Sequence, residues 1–126
     1  MTNDDQLEQL RQSFRPPSIV TLFVGESPPA GDSFFYKERG LLYRSMREAF
    51  GNIEDFLAWF KASGFFLDDL VLDPVNRIKD KKERDARRRQ GIVPLAKRIS
   101  AYRPQAIVVL MCAIKDMVRE APAVCF

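Results

Sequence analysis

The chain has 126 residues, enough for one domain, and 46% of them are apolar and 11% aromatic, which provides for a core and excludes general disorder. The net charge is a mild +3, and there is no histidine, which removes the commonest general base, the commonest metal ligand and every Ser-His or Cys-His pair. No apolar run is as long as a membrane span, the polar, acidic start MTNDDQLEQL is not a secretory signal, and the two cysteines, Cys112 and Cys125, make neither a disulfide framework nor a metal motif. A cytoplasmic protein with reduced thiols, no metal and no cofactor is therefore expected. Any chemistry falls to carboxylates, hydroxyls, amides or backbone donors.

Residues 4–14 place Leu7, Leu10 and Phe14 at helical spacing, and RPPS ends that helix. IVTLFVG, Ile19–Gly25, is a continuous apolar run rich in β-branched residues, which suits a strand buried on both faces. Between Leu41 and Phe50, Leu42, Met46, Ala49 and Phe50 form a helix face, and Gly51 is a natural stop. The pattern repeats over 53–64, with Phe56, Leu57 and Phe60 packing inward and Gly64 at the end. A second strand spans 66–72 and is closed by Asp73-Pro74. The segment RIKDKKERDARRR, Arg77–Arg89, holds eight basic and three acidic residues, read either as a solvated helix face or as a phosphate-binding edge. Pro94 suits the first turn of the next helix, with Leu95, Ile99 and Tyr102 facing in. QAIVVLM, Gln105–Met111, is a third buried strand, Cys112 beside it reads as buried filler, AIKDMVREA is a last short helix, and PAVCF begins a fourth strand near Val124.

Strands separated by helices are βαβ units, so a single α/β domain is expected, with a right-handed, mostly parallel sheet in strand order 2-1-3 and helices on both faces. Residues 25–40 and 73–77 each follow a strand, so both lie on the carboxyl-end rim, where open α/β sheets bind ligands. The first of these connections is far longer than the usual two to six residues.

FVGESPP after a buried strand, followed by FFYKERGLLYRSMREAF and then by GFFLDDLVLDPVNR and LAKRISAYRPQAIVVLM in the same order and spacing, resembles the uracil-DNA glycosylase superfamily. The resemblance covers residues 19–118 and is nearest the branch whose first motif reads Gly-Glu-x-Pro-Gly. It implies a three-layer α/β/α sandwich, extrusion of a base into a pocket and DNA as a partner. It implies that Gly25 and Pro28 lie against a flipped nucleotide and that Glu26 and Ser27 hold the attacking water. It further implies that Phe35 stacks on the base and that Asp73, with Asn76 near it, reads the base edge. Lys79, Lys81, Lys82, Arg87, Arg88 and Arg89 are the candidate nucleic-acid contacts.

Departures from the pattern carry weight. Pro29 replaces a glycine, Ser27 is no carboxylate base, an Asp at position 73 accepts hydrogen bonds but does not donate like an amide, and the superfamily's final strand and His-bearing loop are absent. The two cysteines rule out the iron–sulfur cluster of some members. Glycosidic-bond hydrolysis is accordingly expected to be weak or lost. The alternatives are a non-catalytic nucleotide- or partner-binding relative and a truncated fragment of an active glycosylase. Read without the resemblance, Glu26 and Ser27 cap a turn, Phe34–Tyr36 fold over the core, and Asp73-Pro74 closes a strand.

Overall fold

A computed structural model of the chain describes residues 2–29, 31–75 and 77–124. Three apolar runs form β1 (Thr21–Gly25), β2 (Phe65–Asp69) and β3 (Ala106–Val109), which build a parallel sheet in the order β2-β1-β3. Phe23 pairs with Leu67 and Val108, Val24 with Asp68 and Val109, and Gly25 with Asp69. Side chains alternate along a strand. Phe23, Leu67, Asp69 and Val108 therefore share one face, and Leu22, Val24, Phe66 and Asp68 the other.

Six α-helices accompany the sheet among the described residues: α1 (Asn3–Ser13), α2 (Leu41–Ala49), α3 (Phe56–Ala62), α4 (Lys81–Gln90), α5 (Ile92–Tyr102) and α6 (Lys115–Val124). α1 starts from a capping box, in which Thr2 Oγ1 accepts from the Asp5 N–H and the Asp5 carboxylate accepts from the Thr2 N–H, each at 3.1 Å. α3 covers the first face: Phe56, Leu57 and Phe60 are buried, and the Phe60 ring lies 5.6 Å from Phe23. α5 covers the second: Leu95, Ile99 and Tyr102 are buried, and Tyr102 meets Phe66 edge-on at 5.4 Å. Pro94 sits in the first turn of α5, where its missing N–H has no intrahelical partner to lose. The α/β class, the parallel order and the inward faces of α3 and α5 agree with the sequence pattern.

The two sheet edges differ. At β2, the Tyr36 hydroxyl accepts from the Leu67 N–H at 2.7 Å and donates to the Leu67 carbonyl at 3.0 Å, so a side chain closes the edge. β3 pairs only with β1 among the described residues, and Val108 is 41% exposed. The run at 105–111 was expected to be buried on both faces, but its edge position leaves it half covered. Val124 belongs to α6, so no fourth strand begins there, and Cys125 lies outside the described residues. Cys112 is exposed rather than core filler. In α2 only Met46 is buried, Phe50 packs against the core from just beyond the helix, and Leu42 and Ala49 are exposed; Leu42, in the first turn, lines a rim cavity instead of the core. No helix of the described residues is long and apolar enough to cross a membrane.

Candidate functional site

Two consecutive aspartates end β2. Alternation sends Asp68 to one face and Asp69 to the other, and both are buried. A buried carboxylate needs a cation and hydrogen-bond donors. Arg11, 1% exposed, is supplied by α1 at the β2 edge and serves both: its Nη2 donates to Asp69 Oδ2 at 2.9 Å, its Nη1 lies 3.6 Å from Asp68 Oδ1, and that same nitrogen donates to the Leu67 carbonyl at 3.0 Å. On the far face α5 supplies Arg98, whose Nε donates to Asp68 Oδ2 at 3.0 Å, and the Tyr102 hydroxyl, which donates to the same oxygen at 2.8 Å. Burial pushes the Asp69 carboxyl up, a push that Asp68 reinforces and Arg11 opposes. Arg11 keeps its proton, because the two carboxylates outweigh its own desolvation. Burial also raises Tyr36 and Tyr102, so both remain neutral hydroxyls.

Asp69 forms part of a cavity of about 250 Å³ on the carboxyl-end rim, with Ser27, Pro28, Pro29, Ser33, Phe34, Phe35, Leu41, Leu42 and Leu67 as the other walls. Asp69 Oδ2 is held by Arg11, while Oδ1 accepts no hydrogen bond among the described residues. Gly25 explains how the carboxylate fits. A Cβ there would stand 2.7 Å from Asp69 Oδ1, so only glycine lets β1 pass so close to that group. Ser27 Oγ accepts from the Val75 N–H at 3.2 Å and ties the first rim loop to the connection after β2.

The expected site residues divide. Ser27, Pro28 and Phe35 line the pocket, and Gly25 stands against Asp69 without lining it; Phe35 is 4% exposed and belongs mainly to an aromatic cluster, with Tyr36, Phe60 and Tyr43 rings at 5.0, 5.5 and 5.8 Å. Asp73 is not there. It is exposed, faces Arg87 Nη2 at 3.4 Å and lines a separate cleft with Gln90 and Arg98. Asp69, four positions earlier in the chain, is the acid that the strand delivers to the pocket; the Asp-Pro sequence drew attention to a turn beyond it. Asn76 lies outside the described residues.

Glu26 faces α4. Its Oε2 accepts from Arg84 Nε at 2.8 Å and Arg88 Nε at 2.6 Å, and Oε1 pairs with Arg84 Nη2. Burial raises the Glu26 pKa, but these guanidinium bonds outweigh it and hold the carboxylate below its ordinary range. Such an anion is a poor proton acceptor. Arg88, expected to contact nucleic acid, is buried between Glu26 and Asp85, and Arg87 is half-buried beside Asp73. Lys79, Lys81, Lys82 and Arg89 are exposed and form no ion pair among the described residues. No group of three or more potential metal ligands occurs among the described residues. No protein-family model, curated protein or solved structure matches this chain.

Proposed function

We propose that this chain is a uracil-DNA-glycosylase-like protein that holds a nucleobase in the rim pocket and binds nucleic acid along α4, with N-glycosidic hydrolysis weak or lost. The observation that carries the pocket reading is a carboxylate oxygen, Asp69 Oδ1, in a cavity of about 250 Å³ lined by proline, phenylalanine and leucine together with Ser27 and Ser33. That volume lies just below the ~300–1,000 Å³ of drug-sized clefts and suits a single planar heterocycle. Apolar walls take the ring faces, and the carboxylate takes a donor from the ring edge. A carboxylate favours an edge bearing an exocyclic amine, as in cytosine or adenine. Uracil instead sets carbonyl acceptors on both sides of its one ring N–H, and these oppose the carboxylate.

Weak hydrolysis is supported by a sequence with no histidine to take the proton of an attacking water. Ser27 orients a water but does not take its proton. In equilibrium dialysis we expect the protein to bind cytidine monophosphate about tenfold more tightly than uridine monophosphate, and Asp69→Asn, which adds a donor, to narrow or reverse that ratio. An unchanged ratio in a folded Asp69→Asn variant would remove the pocket from consideration. Excess protein incubated with a uracil-containing oligonucleotide is expected to leave no alkali-labile site above background. Robust cleavage that Glu26→Gln abolishes would overturn the catalytic part of the proposal.

A further inference from the structure

α4 is polar on every side. KKERDARRRQ contains no leucine, isoleucine, valine or aromatic residue, and its single alanine, Ala86, is exposed. Such a helix has no apolar stripe with which to dock. It docks through charge: Arg84 and Arg88, one turn apart, both reach the carboxylate of Glu26 at the end of β1. Arg88 is also held by Asp85, with Nη1 donating to Oδ1 at 2.9 Å. Two planar guanidinium groups around one anion make the arrangement that receives a phosphate group. The Arg84 side chain is 26% exposed against 9% for Arg88, so an anion arriving from solvent meets Arg84 first.

We propose that Glu26 is an internal stand-in for a phosphate. It holds Arg84 and Arg88 in reserve, and a backbone phosphate of single-stranded nucleic acid arriving along α4 displaces it and frees the carboxylate beside Ser27. Charge complementarity identifies the partner. The neighbouring Lys81, Lys82 and Arg89 are exposed and form no ion pair among the described residues, so the helix offers a polyanion several unneutralised cations around the occupied pair. A single strand is favoured over a duplex because the adjoining pocket, about 250 Å³, takes an unpaired base. The inference rests on the nucleic-acid reading above and extends it with a competition between two anions.

That competition has a distinctive signature. Exchanging Glu26 for a phosphate on Arg84 trades one anion for another, so it releases no net counterion, whereas a phosphate on Lys82 does. The test is fluorescence anisotropy of a labelled oligodeoxycytidylate titrated over a range of salt. We expect Glu26→Gln to bind more tightly and to steepen the log affinity–log salt slope by about 0.7, from one phosphate that meets the guanidinium pair with no carboxylate to displace. In the Glu26→Gln background, adding Arg84→Gln is expected to remove about half of that gain. In the otherwise unaltered protein, Lys82→Gln is expected to lower the slope by about 0.7 and Arg84→Gln to leave it unchanged; this comparison does not need the Glu26→Gln variant to fold. Equal losses from Arg84→Gln and Lys82→Gln would overturn the inference. So would binding by the unaltered protein with no gain in a Glu26→Gln variant that keeps its circular dichroism spectrum. If neither protein binds at low salt, the inference and the nucleic-acid reading fall together.

Discussion

Arg11→Met is expected to lower the free energy of unfolding by about 3–5 kcal/mol, the usual effect of removing one partner from a buried ion pair. Methionine keeps the unbranched stem and much of the volume of arginine, so the loss reports charge and hydrogen bonding more than an open cavity. Arg11 is 1% exposed and touches both acids at the end of β2. Without it Asp69 keeps no cation on Oδ2, and the Leu67 carbonyl retains only the Tyr36 hydroxyl. Asp68 loses less, because Arg98 and Tyr102 still hold its other oxygen from α5. The asymmetry gives a second, sharper expectation. In the Arg11→Met background, Asp69→Asn should recover part of the stability by removing the uncompensated charge, while Asp68→Asn should not. Urea denaturation followed by circular dichroism measures all three. A loss below about 1 kcal/mol for Arg11→Met would mean that Asp69 is neutral or hydrated in the folded protein.

These residues also mark where the sequence stops being informative. The inward faces of α3 and α5 follow from local periodicity, and Phe56, Leu57, Phe60, Leu95, Ile99 and Tyr102 take the positions that their spacing predicts. The exposure of β3 does not follow from its residues, because an edge position is a property of the whole sheet. The buried acids were half visible: two consecutive aspartates inside FFLDDLVL must point to opposite faces of a buried strand, and each then demands a partner. What stayed hidden was the partner, since Arg11 lies 58 positions away from Asp69 on a helix that reads as an ordinary amphipathic segment. The rim loop was legible as a long connection on the carboxyl-end rim, and Ser27, Pro28 and Phe35 line one cavity there. The basic block was legible as charge but not as geometry. Composition counts eight cations between Arg77 and Arg89, and only the four-residue spacing of Arg84 and Arg88 hints that two of them turn inward to Glu26.

Phe35 sits where the core and the pocket share a wall, and its truncation separates the two roles. The ring is 4% exposed and stands within 5.0–6.4 Å of Tyr36, Phe60, Tyr43 and Phe56, so most of its surface is engaged by other aromatics. Burying a phenylalanine among such neighbours gives both the transfer term and edge-to-face contacts. Phe35→Ala is therefore expected to destabilise the protein by about 3–5 kcal/mol in thermal or urea unfolding. Its effect on ligand should be the smaller one. Stacking on an aromatic contributes about 1–3 kcal/mol per base where the ring face is open, and here the pocket keeps Phe34, Pro28 and Leu42 as walls after Phe35 is cut back. Under conditions where the variant remains folded, its affinity for cytidine monophosphate should fall less than about tenfold, or ~1.4 kcal/mol. Phe35→Leu, which retains apolar volume, should restore most of the stability. The opposite result, a stability loss below about 1 kcal/mol together with a larger loss of ligand affinity, would make Phe35 a stacking platform whose aromatic neighbours support it without depending on it.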